Sequence, residues 1–217
     1  GLDTSIVQAI ETALVQLEKL GATIKHVTLP VLEYGAAAYV ILSRAEAASN
    51  LAKFDGVRYG LSDKQADTIE RLYCNSRAKG FGKEVRRRIM IGNYVLSAGH
   101  AAAFYDNAKK VQYLMSLGFS QLFQETDLLV MPVTPNAAFK IGDISSSLEM
   151  DLQDYFTCPI NVVGIPALSV PCGYTQDNLP IGFQFVGPAL SEELIFNTAY
   201  AYEQSTGWHT MYPKGYQ

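Results

Sequence analysis

Apolar positions recur at helical spacing from the start of the chain. Ile6, Ile10, Ala13, Leu14, Leu17 and Leu20 predict an amphipathic helix over 5–20, with Ser5 and Gln8 resembling a capping box and Gly21 as its stop. The next run, ATIKHVTL at 22–29, reads as a strand closed by Pro30. An alanine-rich helix follows over 31–53 and ends near Asp55-Gly56; Ser62 is placed to cap a further helix over 63–77, and Gly80 marks a break. Two long helices are expected at 81–98 and 101–117, punctuated by Gly99 and Gly118, and then a short one at 119–125. Beyond it the apolar run 128–133 is a strand that Thr134-Pro135 ends, and IGDISSSLEM at 141–150 is a surface loop. A short helix near 151–157, strands at 167–171 and 181–186, and a helix over 191–206 stopped by Gly207 complete the chain.

Helices thus separate several strands, a layered α/β pattern rather than a bundle or a sandwich. No repeat and no linker rich in Pro, Gly or Ser divides the 217 residues, so 1–217 reads as part of one domain. Gly1 lies almost against a helix start without a methionine, which reads as a chain cut from a longer protein. A piece cut from a layered sheet should expose an edge and an apolar patch, leading to dimerisation or disorder.

Composition narrows the class. With 48% hydrophobic and 18% charged residues the chain is globular, and a net charge of −4 gives no electrostatic reason to bind nucleic acid unaided. Cys74, Cys158 and Cys172 are too few and scattered for a disulfide framework or a zinc site, and read as reduced, mostly buried thiols of a cytoplasmic protein. No apolar run approaches the ~18 residues of a membrane span. Nucleophile elbow, phosphate loop, dinucleotide fingerprint and zinc-protease motif are all missing. His26, His100 and His209 are dispersed and fit a strand position, a helix junction and the surface. No catalytic residue and no metal ligand is therefore expected.

Three residues carry candidate binding chemistry. At ~100° per residue, Phe81, Val85, Ile89, Gly92, Val95 and Leu96 form one stripe of their helix, and Arg88 falls inside it while Arg86 and Arg87 point away. A guanidinium on a buried face must find an anion, either a structural carboxylate or a ligand carboxylate held by two parallel hydrogen bonds. By frequency alone the structural pair is the commoner outcome. Asp154, in DLQDYFTCP, is a solvated or capping residue or an acceptor for an ammonium group. Tyr39, in AAAYVILS, is a core tyrosine or a wall with one hydroxyl. Together the three would suit an amino acid.

Longer runs carry a resemblance. SRAEAASNLAKFDGVRYG (43–60), FGKEVRRRIMIGNYVLSAG (81–99), DLLVMPVTPNAAFKIGD (127–143), DLQDYFTCPINVVGIPALSVPCG (151–173) and PIGFQFVGP (180–188) resemble the A subunit of the bacterial glutamyl-tRNA(Gln)/aspartyl-tRNA(Asn) amidotransferases. The block from Thr157 to Pro171 is shared widely among amidase-signature enzymes, and the first two runs are more specific. The resemblance implies the C-terminal portion of the amidase-signature layered α/β/α fold with a mixed sheet. It also implies glutamine hydrolysis to glutamate and ammonia. The ammonia passes to the B subunit, which uses ATP and Mg to amidate a misacylated Glu-tRNA(Gln) or Asp-tRNA(Asn), and a small C subunit holds the pair together.

No cofactor is expected in this chain itself, and tRNA is reached through the B subunit. The family's glutamine-recognition groups fall on Tyr39, Arg88 and Asp154, which favours a ligand role for Arg88. The family's lysine, bridging serine and nucleophilic serine belong to its N-terminal half, and the chain alone is expected to be inactive. Two rivals remain: another amidase-signature hydrolase without a tRNA partner, and a non-catalytic scaffold.

Overall fold

The computed structural model describes residues 2–144 and 146–212. It divides into two compact units, one made of residues up to Ala36 together with those from Gln112 onward, the other of Ala37–Val111.

The first unit is built on a small sheet. Helix α1 (Thr4–Lys19) opens it, capped by Asp3 rather than Ser5: the Asp3 carboxylate accepts the Ser5 amide at 2.8 Å. Gly21, at φ +99°, turns the chain after α1, as its left-handed geometry requires. Strands β1 (Leu129–Pro132), β2 (Ala167–Tyr174) and β3 (Pro180–Val186) lie in the order β1-β3-β2. Both pairings are antiparallel, with Val186 opposite Leu129 on one side and Ala167 on the other. The resemblance implies a mixed sheet; among the described residues the three strands all run antiparallel to their neighbours. Residues 22–29, expected as a strand, join no ladder.

Alternation along the strands divides the side chains between two faces. One face sends Val170, Cys172, Ile181, Phe183 and Phe185 against α1 (Ile6, Ala13, Leu17) and the last helix α8 (Glu192–Gln204; Ile195, Ala199, Tyr202). Phe183 meets Phe185 and Tyr202 edge-on at 4.9 and 5.1 Å, a geometry that aromatic quadrupoles favour. On the other face Val186, Leu129 and Met131 pack with Phe119 and Phe123 of α5 (Ala101–Leu122) and its end, and with Ile160 of α7 (Cys158–Val163). This unit is therefore a three-layer α/β/α arrangement.

Helices make up the second unit: α2 (Gly35–Asn50, preceded by a 3₁₀ turn over Pro30–Tyr34), α3 (Ile69–Gly80), α4 (Lys83–Leu96) and the start of α5. Helix α3 begins six residues later than the pattern suggests, because Thr68 rather than Ser62 is its cap. The stretch before it is held irregularly by side chains. Asp55 accepts the Val57 and Arg58 amides, and the buried Asp63 is bound by Asn75 and Lys79 of α3.

Helix α5 runs straight through Gly118 instead of stopping there, so the separate helix expected at 119–125 merges into it. A Cβ at residue 118 would collide with the Leu29 side chain, so this glycine serves close approach, not termination. Similarly, the helix expected at 151–157 sits earlier, as α6 (Ser147–Gln153). Ser146 accepts the Glu149 amide at its start, and the expected loop 141–150 shortens accordingly.

Candidate functional site

The second unit carries Tyr39 and Arg88. Helices α2 and α4 cross where Gly92 meets the backbone of Arg44 and the side chain of Ala48. A Cβ on residue 92 would stand 2.6 Å from the Ala48 Cβ and 2.7 Å from the Arg44 carbonyl carbon. Only glycine allows that approach. Arg88 lies one helical turn before this crossing on α4, and Tyr39, half-buried, lies five residues before Arg44 on α2.

The expectation that Arg88 is buried is corrected by the structure. Its side chain is 41% exposed, and its Nε donates to Glu84 Oε1 at 2.9 Å. Arg87 donates to the same carboxylate from two nitrogens, at 2.8 and 3.0 Å. Hydrogen bonds from Arg87, then from Arg88, hold the Glu84 carboxyl well below its ordinary 4.5, at about 2. The Glu84 carboxylate thus faces two guanidinium groups at the start of α4, with Lys83 and Arg86 beside them in sequence.

The deeply buried guanidinium is that of Arg44, only 3% exposed. Its helical neighbours Ala37, Val40, Ile41, Ala47, Ala48 and Leu51 are all apolar, so the stripe argument applied to α2 would have found it.

Asp154 belongs to the first unit and is exposed. It ends α6, and its backbone carbonyl accepts the amides of Thr157 at 3.1 Å and Cys158 at 2.8 Å, so that one residue closes α6 and opens α7. The segment is fastened to the sheet by Gln184 of β3, buried at 3% exposure. Its amide donates to the Pro132 carbonyl at 2.9 Å and to the Phe156 carbonyl at 3.2 Å. Gln112 ties α5 to α7 through the Val162 carbonyl at 2.6 Å, and Pro159 packs against Gly35. Sequence reasoning missed Gln184, although a glutamine in the apolar run PIGFQFV is the kind of position that demands buried partners.

The remaining chemistry is easily bounded. Burial pushes the Cys172 thiol up to about 12, so it carries no nucleophilic thiolate at neutral pH. Cys158 is buried and Cys74 exposed. His100 stacks on Tyr94 at 4.1 Å, and its carbonyl accepts the Phe104 amide at the start of α5. Among the described residues, no group of three or more His, Cys, Asp or Glu side chains is placed to hold a metal ion, and no helix is long and apolar enough to cross a membrane.

Comparison with known proteins decides the family. The family model described as amidase matches residues 1–196. The chain belongs to the amidase family. Within it, the chain is 47% identical over 212 residues to the A subunit of a glutamyl-tRNA(Gln) amidotransferase from Halothermothrix orenii, covering 98% of this chain and 44% of that protein. The corresponding A subunit from Microcystis aeruginosa is also 47% identical, over 214 residues, with the same coverage.

Among solved structures, the glutamyl-tRNA(Gln) amidotransferase A subunit from Thermotoga maritima aligns with a TM-score of 0.72 at 34% identity, over 98% of this chain and 42% of that one. An amidase crystal structure shares the fold at a TM-score of 0.73 and 22% identity, over 95% of this chain and 43% of that one. The chain therefore spans less than half the length of these amidase relatives.

Proposed function

We propose that this chain is the C-terminal portion of one amidase domain, in the A subunit of a tRNA-dependent amidotransferase, and carries the recognition side of a glutamine pocket. The observation that supports this reading is the 47% identity to amidotransferase A subunits along 98% of the chain, against 22% for the amidase of the same fold. In the full-length protein glutamine is hydrolysed, and the ammonia amidates Glu-tRNA(Gln) or Asp-tRNA(Asn) in an ATP-dependent cytoplasmic complex with the B and C subunits. Arg88 takes the glutamine carboxylate, Asp154 its ammonium group, and Tyr39 supplies a wall or a hydrogen bond.

Arg88 would be shared rather than captured: its Nε already donates to Glu84, and a ligand carboxylate competes for the guanidinium. Bond breaking belongs to residues outside this chain. A serine attacks the amide, ammonia leaves, and water cleaves the acyl-enzyme. Purification of the tagged full-length polypeptide from its own cells tests the assignment. Stoichiometric recovery of two further subunits is the expected result, and recovery of an amidase by itself favours a free-standing hydrolase instead.

A further inference from the structure

One glutamine interrupts the central strand, whose other side chains are all apolar. Gln184 of β3 is opposite Met131 of β1 on one side and Ser169 of β2 on the other. Alternation sends Phe183 and Phe185 toward α1 and α8, which leaves Gln184 on the other face with Val186, the face that meets α5 and α7. At 3% exposure its amide is costly to bury unless its hydrogens find acceptors.

The acceptors lie in two separate places. Nε2 donates to the Pro132 carbonyl, where β1 ends, and to the Phe156 carbonyl, in the turn between α6 and α7. Among the described residues, no other hydrogen bond joins residues 154–157 to the sheet.

That turn moves as one piece. The Asp154 carbonyl accepts the Thr157 and Cys158 amides and, at 3.2 Å, the Thr157 hydroxyl, so Phe156 lies inside a closed loop that begins at Asp154. Tyr155 and Phe156 meet edge-on at 5.1 Å within it. Beyond the loop the chain is anchored by the buried Cys158, Pro159 and Ile160. Before it, α6 has only seven residues, too few for a helix to hold itself. Asp154 is exposed, so its carboxylate takes its place from the backbone that carries it.

We propose that Gln184 is a positioning residue for Asp154: its amide fixes the α6–α7 turn to the end of β1 and thereby sets where the Asp154 carboxylate meets the ammonium group of the ligand. Gln184 itself touches no ligand. A purely apolar strand would fill the same space and leave the turn hung on α7 alone. The proposal rests on the reading of Asp154 as the acceptor for the ammonium group of glutamine.

Steady-state glutamine hydrolysis by the full-length protein with its partner subunits tests it as a double-mutant cycle. Gln184→Met keeps the length of the side chain and removes both donors. It should raise KM about tenfold and change kcat by less than about twofold, the pattern of lost substrate binding. Asp154→Asn should raise KM at least as much. In the Asp154→Asn background, Gln184→Met should add less than about twofold, because a residue that acts through Asp154 then has nothing left to position. Effects that multiply, as for a brace serving stability alone, would overturn the proposal. So would a KM raised by Asp154→Asn and untouched by Gln184→Met. If Asp154→Asn alone left KM unchanged, the reading of Asp154 would fail and the proposal with it. Gln184→His, which keeps one ring N–H donor, carries the same cycle if Gln184→Met does not assemble.

Discussion

Replacing Gly92 by alanine is the most informative perturbation of the α2–α4 crossing. The new methyl would stand 2.6 Å from the Ala48 Cβ and 2.7 Å from the Arg44 carbonyl carbon, both well inside contact distance, and backbone cannot rotate aside as a side chain can. Overpacking of this kind costs about 1–3 kcal/mol, and a backbone collision belongs at the upper end. Alanine is the better helix former by about 1 kcal/mol, which offsets part of that. The net loss is about 2 kcal/mol, or roughly 4–8 °C in Tm for a chain of this size. Urea and thermal unfolding followed by circular dichroism measure it. Gly99→Ala is the control: a Cβ there meets nothing within 4 Å, so it should be neutral or slightly stabilising. If Gly92→Ala proved as stable as the parent, the crossing would not be as close as described.

In the full-length enzyme, Arg88→Ala should raise the KM for glutamine roughly tenfold to a hundredfold, the loss of a charge-assisted hydrogen bond, whereas exposed Arg86→Ala should leave it unchanged; equal effects would remove Arg88 from the site. Glu84 has a depressed folded-state pKa, so its contribution to stability is present above about 4.5 and is lost as pH falls toward about 2. The carboxylate is half exposed and solvent screens it, so the effect is small. The stability difference between the parent and Glu84→Gln should narrow across that window, and a constant difference would contradict the assigned pairing. A thiol reagent at about pH 8, near the ordinary thiol pKa, should label Cys74 quickly in the native chain and reach Cys158 and Cys172 only after unfolding; three fast thiols would contradict the burial of the sheet layer.

Legibility from sequence followed where the controlling interactions lie. Helix α1 was readable to within a residue because its apolar stripe and its caps are local. The α3 start was not, since Ser62 is a good local cap and only the buried binding of Asp63 by Asn75 and Lys79 disqualifies the turn that follows it. Gly118 reads as a stop and Gly92 as an ordinary stripe position, yet both are there for close approach, which no window along one helix reveals. Residues 22–29 have a strand's sequence, but strand formation depends on a neighbour.

For the candidate site, periodicity selected Arg88 on the premise of burial. The structure moves that burial to Arg44 and gives Arg88 a shared carboxylate at the surface. The family likeness, carried by whole runs such as 43–60 and 81–99, was legible because it does not depend on predicting any contact.

Ammonia release from glutamine separates recognition from bond breaking, measured on the 217-residue chain and on the full-length polypeptide with its partner subunits. Steady release is expected from the full-length assembly, and none above background from the chain alone. Release by the isolated chain, abolished by a substitution within it, would contradict the assignment of this chain to recognition and of bond breaking to the remainder of the protein.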